Sequence, residues 1–156
     1  MFKEMRNLKK HLTNEDMIRI LKEGEYGILA TIGENGYPHT TPLNYVYINN
    51  VIYFHCAPEG YKLDNINSNN KVSFCVIGET KVLPDKFSTK YESTIIYGRA
   101  SNIIEEEEKK TALLAIIDKY SPEFKNEGLA YIDRAISKTN IVKIIIDHAT
   151  AKGNID

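Results

Sequence analysis

Two cysteines in 156 residues, Cys56 and Cys75, are too few for a disulfide framework or a dense set of thiolate metal ligands. Each falls inside a strand-like run, so reduced, partly buried thiols are expected. His55 precedes Cys56, but no second ligand follows at a short zinc-type spacing. Net charge is equally scarce: 20 basic and 21 acidic side chains leave a formal charge of −1. That balance offers no concentrated basic face, which disfavours nucleic-acid binding. No apolar run approaches the roughly 20 residues of a membrane-spanning helix. The leader MFKEMRNLKK lacks the apolar core of a signal peptide, so a cytoplasmic protein is expected. Neither GxGxxG nor GxxxxGK[ST] occurs, which removes the commonest routes to dinucleotide and triphosphate binding.

A length of 156 residues with 42% hydrophobic content suits a single domain around one core. Residues 13–24 predict an amphipathic helix: a hydroxyl cap at Thr13, acids in the first turn, Met17, Ile18 and Leu21 on one face, and Gly24 as stop. Tyr26 to Ile32 reads as a strand, residues 33–36 as a turn, and Tyr37 to Ile48 as its antiparallel neighbour. Asn49-Asn50 then turns the chain into a third strand, Val51 to Cys56. A short helix over residues 60–68 precedes a strand over Lys71 to Ile77. Residues 78–90 mix Gly, Pro, Asp, Ser and Thr without a period, which predicts a long connection that folds over a site. Tyr91 to Ile104 is a long strand in which Gly98 marks a bulge or bend. Helices over residues 105–119 and 125–136 and a closing strand over residues 141–146 complete the chain. Many antiparallel strands with few helices argue for a β-barrel or sandwich with peripheral helices.

The stretch from Gly36 to Lys62 carries the chemistry. A hairpin there runs directly into Gly60 and Lys62 at a helix start, where backbone donors and an ammonium would both favour an anion. A lysine in a first turn is ordinarily a solvated residue that opposes the helix dipole, and a phosphate would remove that conflict. A flat, partly apolar ligand carrying a phosphate would suit such a site. Thr40 and Thr41 are ordinary strand formers, and as neighbours they face opposite sides, so only one side chain can meet a ligand directly. Tyr45, Tyr47, Tyr53 and Tyr97 read first as packing residues of core or interface. His11, His39 and His148 lack any surrounding ligand pattern.

The segments YGILATI, NGYPHTTPLNYVY, VIYFHCAPEGYKLDNI, KVSFCVI and STIIYGRA, in that order and spacing, resemble the FMN-binding split-barrel superfamily. Within the pyridoxamine phosphate oxidase-like proteins, the similarity is to the nitroimidazole-resistance branch. It extends from about Asp16 to Lys152. The resemblance implies a six-stranded antiparallel Greek-key split barrel that forms a homodimer, with one FMN in each of two interfacial clefts. It places Thr40, Thr41, Pro42 and Leu43 along the isoalloxazine and ribityl chain, with Asn44 at the edge. His55 would sit beside the flavin, Lys62 and the neighbouring backbone, Leu63 included, would hold the phosphate, and Tyr91 and Ser93 would add contacts. Of these, only His55 is a candidate proton donor, because its ordinary pKa suits transfer near neutrality. The closing DHATAKG departs from the family's T-G-K pattern at Ala151, and an arginine-rich C-terminal substrate segment typical of true pyridoxamine phosphate oxidases is absent.

Three functions follow from that resemblance. The first is an oxidoreductase that passes electrons from a reduced nicotinamide or other donor, through FMN, to a small planar acceptor such as a nitroaromatic. The second is a module that binds, stores or senses flavin without turnover, or one with pyridoxamine phosphate oxidase-like activity. The third keeps the barrel and exchanges the ligand for haem or a deazaflavin.

Overall fold

The structure is a computed structural model that describes residues 1–155. Helix α1 (Asn14–Glu23) begins where Thr13 Oγ1 accepts from Asp16 N and the Asp16 carboxylate accepts from Thr13 N, so both legs of the capping box close. Strands β1 (Gly27–Ile32), β2 (Pro38–Leu43), β3 (Val46–Ile48) and β4 (Val51–Cys56) follow. Helix α2 (Tyr61–Ser68) then leads to β5 (Lys71–Leu83) and β6 (Ser88–Asn102). Helices α3 (Glu106–Tyr120) and α4 (Lys125–Ala135) precede β7 (Asn140–Asn154).

All seven strands pair antiparallel in the order β2-β1-β5-β6-β7-β4-β3. Laid flat, seven strands would separate β2 from β3 by about 29 Å at a spacing of ~4.8 Å. Only Asn44 and Tyr45 join them, and so short a link spans about 10 Å. The sheet must therefore curl until its two edges meet, which makes it a split barrel: the edges adjoin without forming a ladder. This corrects the expected six strands to seven, because the single strand expected over Tyr37 to Ile48 is divided at this seam.

Inward-facing residues alternate along the barrel-wall parts of β1, β2, β4, β5 and β6. Leu29, Phe54, Phe74, Ile96, Val142 and Ile144 are fully buried inside, and Ile20 and Leu21 of α1 join the same core. Each large apolar side chain so buried contributes about 1.5–3 kcal/mol. A smaller cluster of Ile103, Leu113, Ile132 and Ile141 packs α3 and α4 onto the outside of β4 and β7. Two bulges bend the long strands. One sets Gly78 and Glu79 opposite Glu92, and the other shifts register between Tyr97 and Gly98, where an added Cβ would lie 2.5 Å from Ile145 O.

Two sequence expectations change here. Residues 78–90 are a continuous hairpin, β5 running to Leu83 and β6 starting at Ser88 after a 3₁₀ turn. The closing strand extends to Asn154, well beyond the expected 146. The hairpin has no core contacts to impose an alternation, Glu79 to Val82 being exposed on both faces, whereas the β7 extension reaches the core through the small residues Ala149, Ala151 and Gly153, which carry little strand signal.

Candidate functional site

The start of α2 is fixed against the barrel from below. Leu63 and Ile66 enter the core, and the buried Asn65 amide donates to Thr31 Oγ1 at 3.0 Å. Gly60 has φ +145°, a conformation side chains resist, and as the N-cap it supplies no side-chain acceptor. Its carbonyl accepts from the N–H groups of Leu63 and Asp64. The N–H groups of Tyr61 and Lys62 precede the first intrahelical bond, so helix geometry leaves them free for an external acceptor. Lys62 is half-buried in this turn, and among the described residues its ammonium has no ion-pair partner. This donor set fits a phosphate.

Tyr61 meets His39 edge-on at 4.9 Å, which sets the α2 start beside β2. Strand β2 is the last strand of the sheet order, so one side of its backbone has no ladder partner. Thr40 and Pro42 are exposed on its outer face, while Thr41 and Leu43 are half-buried on its inner face. Thr40 and Thr41 therefore present their side chains to opposite faces of β2. Asn44 lies at the seam, where its amide donates to Glu25 O at 2.9 Å. His55 is exposed at the end of β4, before the loop over residues 57–60 that leads into α2.

Tyr91 and Ser93 stand apart from these groups. Ser93 pairs with Ile77 on one side and Lys152 on the other, and the Lys10 and Lys152 ammoniums each lie 5.8 Å from the Tyr91 ring centroid. Strands β1 and β5 separate β6 from β2, about 14 Å at the usual strand spacing. Within one chain, the α2 start and β2 form one half of the sequence-predicted set, and Tyr91 and Ser93 form another.

The ladder registers define what lies between them on the outer face. One row runs Pro42, Ile28, Cys75, Ile95 and Thr150, and the next Thr40, Ala30, Ser73, Tyr97 and His148. Ile32, Ile77, Ile95 and Tyr97 are exposed large apolar groups of this face. Burial pushes the Cys75 thiol above its ordinary pKa, which disfavours the reactive thiolate.

Sequence reasoning missed two polar devices. Glu92, buried on the inner side of β6, receives both Arg19 nitrogens of the guanidinium fork at 2.7 and 3.0 Å. An acid at an inward position of an alternating strand is the available signal for such a pair. At the seam, Tyr45 N donates to Tyr120 Oη at 3.0 Å and Lys119 Nζ donates to Tyr45 O at 3.1 Å. These partners are 75 and 74 residues distant, and no local pattern announces them.

A seven-stranded split barrel with an anion-competent helix start beside its edge strand defines a class of small ligand-binding barrels. The chain belongs to the pyridoxamine 5'-phosphate oxidase family, whose sequence model matches residues 13–153. A candidate 5-nitroimidazole antibiotic resistance protein from Bacteroides thetaiotaomicron is 25% identical, with a TM-score of 0.78 over 90% of this chain and 84% of that one. A conserved hypothetical protein from Mycobacterium tuberculosis shares the fold at 19% identity and a TM-score of 0.82, covering 96% and 90%. An FAD- and haem-binding protein from Mycobacterium smegmatis does so at 18% and 0.80, covering 94% and 73%. No curated protein matches the sequence. Among the described residues no helix is long and apolar enough to cross a membrane, and no group of three or more His, Cys, Asp or Glu could hold a metal ion.

Proposed function

We propose that the protein is an FMN-dependent oxidoreductase that works as a homodimer on a small planar acceptor of the nitroaromatic kind. The observation that carries this reading is the start of α2: an uncapped turn, Gly60 in a conformation that only glycine adopts readily, and Lys62 without an ion-pair partner among the described residues, set beside the open edge of β2. Lys62 and the first-turn N–H groups would hold the phosphate. Backbone groups of Thr40 to Leu43 would follow the ribityl chain and ring, with Thr40 and Pro42 turned toward the ligand. His55 would lie at the ring's polar edge, where it is the group able to hold or deliver a proton. Tyr91 and Ser93 would come from the second copy, which reconciles their separation from Lys62 within one chain. FMN bound there supplies reversible hydride and electron transfer, and the protein supplies orientation and electrostatic tuning.

A 25% identical candidate nitroimidazole-resistance protein of the same fold supports the choice of acceptor class. The runner-up ligand, haem, is favoured by the FAD- and haem-binding neighbour; the absorption spectrum of the purified protein separates the two. The expected spectrum is that of an oxidised flavin. Lys62→Ala is expected to weaken FMN retention at least about tenfold, the loss of a charge-assisted contact of ~1.5–3 kcal/mol. Equilibrium dialysis against FMN measures it, and unchanged affinity would remove Lys62 from the phosphate site. Reduction of bound flavin by NADH or NADPH, followed by reoxidation with a nitroaromatic, distinguishes an enzyme from a flavin store.

A further inference from the structure

The first six residues lie across the outside of the barrel. The Phe2 ring stacks parallel on His148 at 4.6 Å and 6°, and leans on Tyr97 at 5.2 Å. Among the described residues no backbone hydrogen bond ties down Met1 to Arg6, so side chains alone hold this arm. Between the arm and the sheet is a cavity of about 440 Å³, within the range of small-molecule pockets. Met1 and Phe2 form one wall, and Ala30, Ile32, Val72 and Tyr97 form much of the other. Ala30 and Tyr97 belong to the same cross-strand row as Thr40, so the cavity adjoins the outer face of β2.

Two charged side chains line it, Lys71 and Asp147. Asp147 is already satisfied by Arg99, whose Nε and Nη2 donate to its carboxylate at 2.9 to 3.1 Å. Lys71 has no ion-pair partner among the described residues. The cavity therefore combines apolar walls, a stacked aromatic group and the unpaired Lys71 ammonium, which reinforces the positive end that Met1 brings to the same lining. A flat aromatic ring gains from stacking, and a carboxylate on it gains from Lys71.

We infer that the arm and the outer face of the sheet form a pocket for a flat aromatic carboxylate, with Phe2 as the stacking surface and Lys71 as the charge contact. On the flavin reading, with which this assignment of the acceptor stands or falls, it is where the planar acceptor lies. The pocket itself is lined by protein alone and can be tested with and without FMN.

The test is calorimetric titration of 4-nitrobenzoate and of nitrobenzene into wild type, Phe2→Ala, Phe2→Tyr and Lys71→Ala, each in FMN-loaded and FMN-free form. Phe2 and Lys71 are outside the core, so the variants retain the fold. Wild type is expected to bind 4-nitrobenzoate several-fold more tightly than nitrobenzene. Phe2→Ala is expected to weaken both by about tenfold and Phe2→Tyr to restore them, because an aromatic contact of ~1.5 kcal/mol corresponds to that factor. Lys71→Ala is expected to abolish the preference for the carboxylate. Failure of wild type to bind either probe, or binding unaffected by Phe2→Ala, overturns the pocket, and a preference that survives Lys71→Ala overturns the charge contact. FMN affinity, read separately from flavin fluorescence, is expected to be the same in all four proteins. Probe binding without any FMN binding would support the pocket and refute the flavin reading; FMN binding without probe binding would do the reverse.

Discussion

Glu92 shows how one residue can bind a helix to a barrel. It is 6% exposed on an inward position of β6, where an unpaired carboxylate would be costly. Arg19 of α1 takes both oxygens, and Oε1 also accepts from Glu79 N at 3.3 Å, within the bulge. The bulge glycine makes the room: a Cβ on Gly78 would lie 2.5 Å from Glu92 Oε1. Removing one partner of a fully buried pair costs about 3–5 kcal/mol, but the Arg19 side chain is 41% exposed and water would take over part of its charge. Glu92→Gln is therefore expected to cost about 2 kcal/mol at neutral pH. The hydrogen-bonded Arg19 guanidinium holds the Glu92 carboxyl below its ordinary pKa. The stabilisation is thus complete above the unfolded value of about 4.3 and is lost as pH falls through the lower folded value. Urea denaturation at several pH values should show a constant gap between wild type and variant near neutrality that narrows in acid. A gap as wide at pH 3 as at pH 7 would contradict the assigned role. Gly98, by contrast, needed no partner to be read: a glycine in a β-branched strand signals a bulge, and the register shift lies beside it.

The seam between β2 and β3 is the element on which barrel closure depends. At Tyr45 the chain leaves one sheet edge for the other, and its N–H and C=O are outside any ladder. The Tyr120 hydroxyl accepts from Tyr45 N, and its single proton is shared between Glu25 O at 2.6 Å and Tyr45 O at 2.9 Å. Lys119 lies 4.0 Å above the Tyr45 ring, and burial pulls its ammonium down to a pKa of about 8. The Tyr45 hydroxyl in turn donates to Leu21 O at 2.7 Å, tying the seam to α1. Tyr120→Phe keeps the ring and removes the hydroxyl, stranding part-buried backbone groups at a cost of about 1–3 kcal/mol. The expected result is a lower Tm together with faster amide exchange at Tyr45, while exchange at Leu29 in the barrel wall slows or quickens only with global stability. Equal acceleration at both positions would show that Tyr120 contributes to overall stability without acting at the seam. This element also marks where sequence legibility stopped. The Thr13 cap of α1, the β1–β2 hairpin and the short α2 were readable because their signals are local. No glycine or proline separates Leu43 from Val46, and the partner of the break is in a helix 75 residues later. The outer parts of β5 and β6 were misread for a related reason: a hairpin that leaves the core has no inner face to impose a period.

At the scale of the whole molecule, the outer face decides whether the site is complete. Residues that could contact one flavin are split between the α2 start and β6, and the face between them presents apolar side chains to solvent. Ile77 is 47% exposed beside Ser93, and the hairpin beyond it carries Phe87, 99% exposed with φ +48°. These groups are where the proposed homodimer would have its contact, with the second copy supplying Tyr91 and Ser93 to the site at Lys62. The N-terminal arm roofs cavities over Ala30, Ile32 and Ser73 and over Ile95, Tyr97 and His148, and leaves Ile28, Cys75 and Ile77 clear of them. Ile77→Glu puts a charge in the open part without touching the core, so the isolated fold should be unaffected. Sedimentation velocity is expected to show wild type as a dimer and the variant shifted to monomer, since burying an unpaired carboxylate in such a contact opposes association by several kcal/mol. On the proposed two-chain site, FMN retention is expected to fall with the dimer, because a monomer would keep only the groups around Lys62. A monomeric variant that retains FMN with wild-type affinity would place the whole flavin site within one chain, and a variant that remains dimeric would move the interface away from this face.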